Sequence, residues 1–384
     1  MNLCVVSPFP PEISGIGQYG WHIVRGLARS SRFDSILVLT SGREPDGAPH
    51  LDRAVRVRRV WERDGLHTPL RLTQAIRAAR ADAVWFNLGF TVFGSSRAAN
   101  FLGLAVPMLT RRAGIPVVVT LHEVFEFASP LALGARNGRI TTWGARTATR
   151  MLLQANAVCV TLQRYRDELR KRYGARNILH LPLGAFVIPE RLRAPEVSQP
   201  HDILILATYA PYKGLPVLLQ AFERVRRAYP QTTLTVAGSD HPRFPGYLAG
   251  LRARVNGASG IRWLGPQSEE QLDKVFARAS VVALPYTATT GASSVLHRAA
   301  AYGRPVVTSD LPDTRAVTEE EGLMVDYVPP ADPDALAQAL IRLLGDPERR
   351  AALARHNLSV MRAMSPERIC ARYADLFQSV ARAA

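Results

Sequence analysis

The sequence predicts an α/β protein built from two doubly wound parallel-sheet domains. Three observations lead there. Short β-branched apolar runs alternate with longer helical patterns along the whole chain, the rhythm of parallel strands joined by crossover helices. The rhythm stops once, at 186–200, a Pro- and Arg-rich stretch without periodicity, as expected of a linker. The chain has 384 residues, 47% apolar and 21% charged. That is too long for one ordinary α/β domain and enough for two with separate cores.

In the first half, 2–6, 35–39, 83–87, 117–121 and 157–161 read as buried strands. Each is short, rich in branched apolar residues and closed by a polar or turn residue. Helical stretches fall at 17–28, 69–80, 96–112 and 141–155. In the second half, strands fall at 203–206, 233–236, 261–264, 281–284 and 306–308. Helices fall at 216–228, 247–255, 269–279, 293–302, 334–344 and 348–361, and a last amphipathic helix at 366–383. The expected organisation is a domain at 1–185, a linker at 186–200, a domain at 201–364 and a closing helix at 365–384. Ligands bind outside the carboxyl ends of strands in such sheets. Two sheets facing each other would place those ends across one interdomain cleft, so functional residues belong just after strands.

The formal net charge is +16, and only Lys171, Lys213 and Lys274 among the 48 cations are lysine. The arginine bias reads as a coding bias. It also suits phosphate groups or an acidic membrane face. The arginines are scattered and carry no aromatic-flanked motif, which argues against nucleic acid. Cys4, Cys159 and Cys370 lack metal or redox spacing and read as small buried hydrophobes in a reducing cytosol. Pro8, Pro10 and Pro11 cut the first apolar run short, so it is not a signal peptide. No run approaches 18 apolar residues. The expected location is cytoplasmic, with peripheral contact at the inner face of an anionic membrane. The apolar run 101–109, followed by Arg111 and Arg112, reads more readily as a buried helix than as a membrane-surface one.

Four stretches carry chemistry. Ser7 to Tyr19 follows the first strand and opens a helix, with Gly15 and Gly17 allowing close backbone approach and free N–H groups facing an anion. It is not the dinucleotide fingerprint, because the third glycine is absent at the required spacing. His122 follows the strand at 117–121, where an imidazole can polarise a sugar or hydroxyl. Glu123 and Glu126 beside it are candidate bases or loop caps. Lys213 precedes Gly214 at a helix start after the first strand of the second half, where an ammonium and backbone N–H groups converge. Thr290, Gly291, Ala292, Ser293 and Ser294 form a small, hydroxyl-rich loop before another helix, a second anion site.

In this order the four stretches resemble the family 4 retaining glycosyltransferases of GT-B fold, over nearly the whole chain. The resemblance implies two Rossmann-like domains, a last helix crossing back to the first, and sugar transfer from a nucleoside-diphosphate sugar to a hydroxyl acceptor. It implies retention and no metal. The donor is then a UDP- or GDP-sugar, and the basic balance allows the acceptor to be lipid-linked. The resemblance casts His122, Lys213 and Thr290 as catalytic. It casts Gly15, Gly17, Thr208, Lys213, Gly291, Ser293, Ser294 and Arg298 as donor-binding. Tyr19, Glu123 and Glu126 are expected on the acceptor side.

Three positions depart from the family pattern. Thr208 stands where the family carries an arginine. Thr290 and Arg298 stand, by spacing, where it carries a pair of glutamates for sugar and ribose. An arginine cannot accept hydrogen bonds from ribose hydroxyls, but it grips phosphate bidentately. Arg298 is therefore expected to bind the diphosphate. The competing readings are a non-catalytic GT-B binding protein and a GT-B enzyme with an unusual donor.

Overall fold

The computed structural model describes residues 1–12, 14–42, 52–127, 138–189, 201–255, 259–289 and 291–383. The first half contains β1 (Asn2–Val6), α1 (Gly15–Ala28), β2 (Ser35–Ser41), β3 (Val55–Trp61), α2 (Thr68–Ala79) and β4 (Ala83–Leu88). It continues with α3 (Arg97–Leu104), α4 (Val106–Arg112), β5 (Val117–Leu121), α5 (Arg139–Leu152), β6 (Ala157–Val160), α6 (Gln163–Tyr173) and β7 (Ile178–His180). The second half contains β8 (Asp202–Tyr209), α7 (Leu215–Ala228), β9 (Thr233–Asp240), α8 (Tyr247–Arg254), β10 (Ile261–Leu264), α9 (Glu269–Arg278) and β11 (Val281–Leu284). After these come α10 (Ser294–Ala301), β12 (Val306–Ser309), α11 (Pro312–Glu321), β13 (Asp326–Val328), α12 (Pro333–Gly345), α13 (Pro347–Ala363) and α14 (Pro366–Arg382).

The chain divides into two compact units. The first gathers Met1–Leu131, Ala135–Leu183 and Pro366–Ala384, and the second takes Gly184–Ser365. Of the expected linker at 186–200, residues 190–200 lie outside the described residues.

All strand pairs in both units are parallel. The first sheet runs β3-β2-β1-β4-β5-β6-β7 and the second β10-β9-β8-β11-β12-β13. Central strands β4, β5, β6 and β11 are buried along their whole length, as their nearly continuous apolar runs require when helices cover both faces. In the first unit α14 packs on α1, β4 and β5, burying Cys370, Tyr373 and Phe377. Cys4, Cys159 and Cys370 are free thiols in the interior, and burial pushes each up to about 12. In the second unit α7 and α12 pair over the sheet around Leu218, Phe222 and Leu340.

Both strand orders reverse direction at one point, between β1 and β4 and between β8 and β11. Ligands bind outside the carboxyl ends of the strands at such a switch point. Three of the four stretches singled out in the sequence begin at the carboxyl ends of β1, β8 and β11. The fourth, His122, follows β5, the neighbour of β4.

The expected helix at 96–112 is two helices. Pro107 lacks an amide donor and occupies the first turn of α4, so the ladder restarts there. Strand β3 was not foreseen, because its sequence VRVRRVW carries Arg56, Arg58 and Arg59 at the sheet edge. Also absent from the sequence reading are α6, α11 and the three-residue strands β7 and β13. No helix among the described residues is long and apolar enough to cross a membrane.

Candidate active site

In the first unit, Asn87 organises the switch point. It is fully buried near the end of β4. Its Nδ2 donates to Ser7 Oγ and to the Ile16 carbonyl, both at 2.9 Å. Its Oδ1 lies 2.6 Å from His122 Nε2. A backbone carbonyl only accepts, so Nδ2 must face Ile16 and Oδ1 must accept from the imidazole. His122 therefore carries its proton on Nε2 and keeps Nδ1 as an acceptor. Burial pulls its pKa down to about 4, so the ring is neutral at physiological pH.

The His122 ring meets Tyr19 edge-to-face, with centroids 4.9 Å apart at 78°. Tyr19 is 1% exposed, and its hydroxyl donates to Tyr373 Oη at 3.0 Å. Tyr373 Oη in turn lies 2.9 Å from Thr120 Oγ1, which accepts from Trp85 Nε1 at 2.9 Å. This corrects the expectation of Tyr19 on the acceptor side. Its polar end is turned into the core, and its ring supports His122. Glu123 Oε1 accepts from the Phe90 amide at 2.8 Å, so it pins the loop after β4. The Glu126 side chain lies outside the described residues.

The two glycines of the first stretch differ. A Cβ on Gly17 would lie 2.8 Å from Ser14 Oγ and 3.3 Å from the Pro8 carbonyl oxygen. Ser14 Oγ caps α1 by accepting from the Gly17 amide at 3.0 Å. Gly15 has nothing within 4 Å of its Cβ position, so packing does not demand glycine there. Gly20, unforeseen, leaves room for the site's own frame: its Cβ would meet Ser7 Oγ at 2.6 Å and Asn87 Nδ2 at 2.9 Å. Asn87 and Gly20 were missed, and Ser7 was named only as the start of the first stretch. The only signal was a lone Asn in the otherwise apolar strand AVWFNL.

In the second unit, Lys213 closes the short turn Pro211–Lys213 after β8. Its Nζ lies 4.1 Å from the Tyr286 ring centroid and 5.5 Å from that of Tyr212, favourable cation–π positions. No carboxylate among the described residues pairs with it. Burial lowers its pKa to about 8. The loops after β8 and β11 touch directly. The Thr287 amide donates to the Tyr212 carbonyl at 2.9 Å. Gly214, at φ +68°, would place a Cβ 1.7 Å from the Pro285 carbonyl oxygen.

Ser293 caps α10, accepting from the Leu296 amide at 3.3 Å. The amides of Ser294 and Val295, in the helix's first turn, have no intrahelical acceptor. The Ser294 and Thr208 hydroxyls make no hydrogen bond among the described residues and are half-buried. Gly291, at φ +75°, donates its amide to Asp313 Oδ2 at 3.0 Å, so that amide is committed to the loop rather than open to an anion. Thr290 lies outside the described residues.

Arg298 is placed differently from the expectation. It is 3% exposed, with Nη2 2.8 Å from Glu269 Oε1 and Cζ 4.8 Å over the Phe186 ring. An internal ion pair with an aromatic lid replaces the expected phosphate ligand. Losing one member of a buried pair strands the other charge. Arg298→Met is therefore expected to destabilise the protein by about 2–3 kcal/mol while changing donor affinity less than about threefold. Thermal denaturation and calorimetry check this together. A tenfold affinity loss at unchanged stability would return Arg298 to the phosphate.

Residues 14–184 match the family model described as "Glycosyl transferase 4-like domain", and residues 200–346 match "Glycosyl transferases group 1". The chain is 26% identical to the GDP-mannose-dependent monoacylated alpha-(1-6)-phosphatidylinositol monomannoside mannosyltransferase of Corynebacterium glutamicum. That alignment covers 92% of this chain and 91% of the relative. It is 28% identical to the GDP-mannose-dependent alpha-(1-6)-phosphatidylinositol monomannoside mannosyltransferase of Mycolicibacterium smegmatis, covering 91% of each. Among solved structures, sucrose-phosphate synthase of Thermosynechococcus elongatus superposes with a TM-score of 0.76 at 18% identity, covering all of both chains. Anabaena HepE in complex with UDP and glucose gives 0.73 at 18% identity, covering 99% of this chain and 100% of the other.

Proposed function

Because the chain belongs to the family 4-like glycosyltransferases of GT-B fold and takes its sugar from a nucleotide donor, we propose that it moves a hexosyl group, with retention, from a UDP- or GDP-hexose to a hydroxyl of a phosphate-bearing lipid. The observation that carries this reading is Lys213, an ammonium held between two tyrosine faces with no carboxylate partner among the described residues. Such a cation at the switch point of the second sheet suits a diphosphate. The relatives aligned over nine tenths of the chain, whose names specify GDP-mannose and phosphatidylinositol monomannosides, favour a GDP-hexose and a phosphatidylinositol-type acceptor.

In this reading Lys213, Thr208, Ser294 and the first-turn amides of α10 hold the diphosphate. They compensate the charge that grows on it without a bound metal. The bond from the sugar's anomeric carbon to the β-phosphate oxygen breaks, and its electron pair leaves with the nucleoside diphosphate. The acceptor oxygen bonds the anomeric carbon from the same face, and its proton passes to the departing phosphate oxygen. Within the first unit, His122 keeps Nδ1 as an acceptor suited to a sugar hydroxyl.

A thermal-shift panel of UDP, GDP, ADP and their hexoses tests the reading. A ligand at a hundredfold excess over its Kd stabilises by about 2.7 kcal/mol. One nucleoside diphosphate is expected to stand out, and its hexose to be consumed when a phosphatidylinositol-type lipid is added. No stabilisation by any nucleoside diphosphate at millimolar concentration would overturn it.

A further inference from the structure

Among the described residues of the first unit, four of the seven exposed large apolar side chains, including the two most exposed, lie on helices α3, α4 and α5. Ile140 is 82% exposed and Trp143 64%, both on α5. Leu102 on α3 and Leu109 on α4 are 39% and 41% exposed. The helices belong to one surface, since α3 and α4 both pack on α5 and Phe101 stacks on Trp143 at 6.5 Å and 21°. A lone exposed apolar residue needs no explanation, but a group of them on packed neighbours does.

The charges on the same helices are of one sign. None of α3, α4 and α5 contains an acidic residue. Along α5, Arg139, Trp143, Arg146 and Arg150 follow at spacings of four, three and four, and all four are exposed. That spacing puts them on one stripe of the helix. Arg97, Arg111, Arg139 and Arg146 meet no carboxylate among the described residues. Arg150 lies over the Tyr173 ring. Internal ion pairs therefore do not explain these guanidinium groups. Folding this surface leaves cations and a tryptophan in water together.

We propose that the α3–α5 face docks on the surface of an anionic bilayer, with Trp143 and Ile140 entering the headgroup region and the arginines pairing with lipid phosphates. Amphipathic helices with an aromatic–aliphatic face and an arginine-rich border bind this way. Helix α5 lies between β5 and the parallel strand β6 in sequence. Its N-terminal half, bearing Arg139, Ile140 and Trp143, therefore sits toward the carboxyl edge of the first sheet, the edge that carries His122. A docked bilayer would deliver a lipid headgroup to that edge. The proposal deepens the reading of a lipid-borne acceptor and rests on it.

Vesicle flotation of the full chain tests it, using neutral phosphatidylcholine vesicles and vesicles with phosphatidylglycerol added. Binding to the anionic vesicles alone, weakened by salt, is expected. Arg139→Gln, Arg146→Gln and Arg150→Gln combined should lower the partition by about a hundredfold, at about one kcal/mol per cation. Trp143→Ala should lower it at every salt concentration. Trp143 emission should shift to the blue on binding, a shift absent in Trp143→Phe. Equal binding of wild type and variants, or no binding at all, overturns the proposal. So does tighter binding of duplex DNA that is indifferent to Trp143→Ala.

Two further readouts separate this surface from the transfer reaction. Both variants should keep wild-type thermal-shift responses to the nucleoside diphosphate and wild-type transfer to a detergent-dispersed acceptor. Lost vesicle binding with transfer intact confirms the surface. Wild type that binds no nucleoside diphosphate yet still floats with vesicles removes the transfer reading and leaves the surface standing.

Discussion

Lys213→Ala lowers kcat/KM for the donor sugar by about two to three orders of magnitude, the scale seen when one donor to a developing anion is removed. A charge-assisted hydrogen bond contributes about 1.5–3 kcal/mol. Here the ammonium is half-buried and set by the Tyr212 and Tyr286 rings, so little reorganisation precedes binding. The loss should exceed the effect on ground-state affinity, because negative charge on the diphosphate grows as the glycosidic bond breaks. Lys213→Arg should rescue only in part, since a guanidinium lies flat on a ring and offers its donors in a fixed fork, whereas the lysine presents one compact charge at the end of a flexible stem.

The alkaline limb follows from the same residue. With its pKa lowered to about 8 by burial, free-enzyme Lys213 is cationic below that pH and neutral above it. Donor kcat/KM is therefore full below about pH 8 and falls tenfold per unit above it. A bound diphosphate favours the cation, so kcat itself stays level to higher pH. In the unfolded chain the lysine titrates at its ordinary value of 10.5. The unfolded chain thus binds more protons between the two values, and this group makes stability rise with pH there. Steady-state kinetics of both proteins across pH 6.5–9.5 checks the argument. An alanine variant within threefold of wild type, or one that keeps the alkaline limb, sinks it.

Gly214→Ala unfolds or severely destabilises the second unit. A left-handed backbone alone costs an alanine about 1–2 kcal/mol. The new Cβ would also fall 1.7 Å from the Pro285 carbonyl oxygen, and both clashing atoms sit on or beside the main chain, so no rotamer relieves the overlap. A total of about 3–5 kcal/mol is expected, a drop of about 10 °C or more in Tm for a unit of this size. The folded fraction should also lose donor affinity, because parting the loops after β8 and β11 separates Lys213 from Tyr286. Gly15→Ala is the control: with nothing within 4 Å, it should leave Tm within about 2 °C. Equal Tm for the two variants would refute the close approach.

The central strands were legible because a strand covered on both faces reads as a nearly unbroken apolar run, and β1, β4, β5 and β11 do, interrupted only by Asn2, Asn87 and Thr120. Strand β3 was not, since an edge position lets arginines into the pattern. Helix α11 was not, because PDTRAVTEEE shows little apolar periodicity. Lys213 was legible through its rarity in an arginine-rich chain and its place at a helix start. The Asn87 network was not, since one polar residue per strand says nothing about which loop it will meet. The charge pairing of Arg298 was hidden for a simpler reason. Its partner Glu269 lies 29 residues away, and no local spacing rule links two helices across a strand.

That pairing also constrains how this protein can be altered. Writing the family's glutamate at position 298 alone would set two carboxylates against each other where one ion pair stands. Changing Glu269 alone would leave a buried guanidinium under Phe186. Each single step lowers stability, whereas a double exchange keeps the charge balance, so the two positions are epistatic. Libraries that vary position 298 with Glu269 fixed will sample mostly destabilised chains. Any redesign of position 298 has to treat the two sites as one.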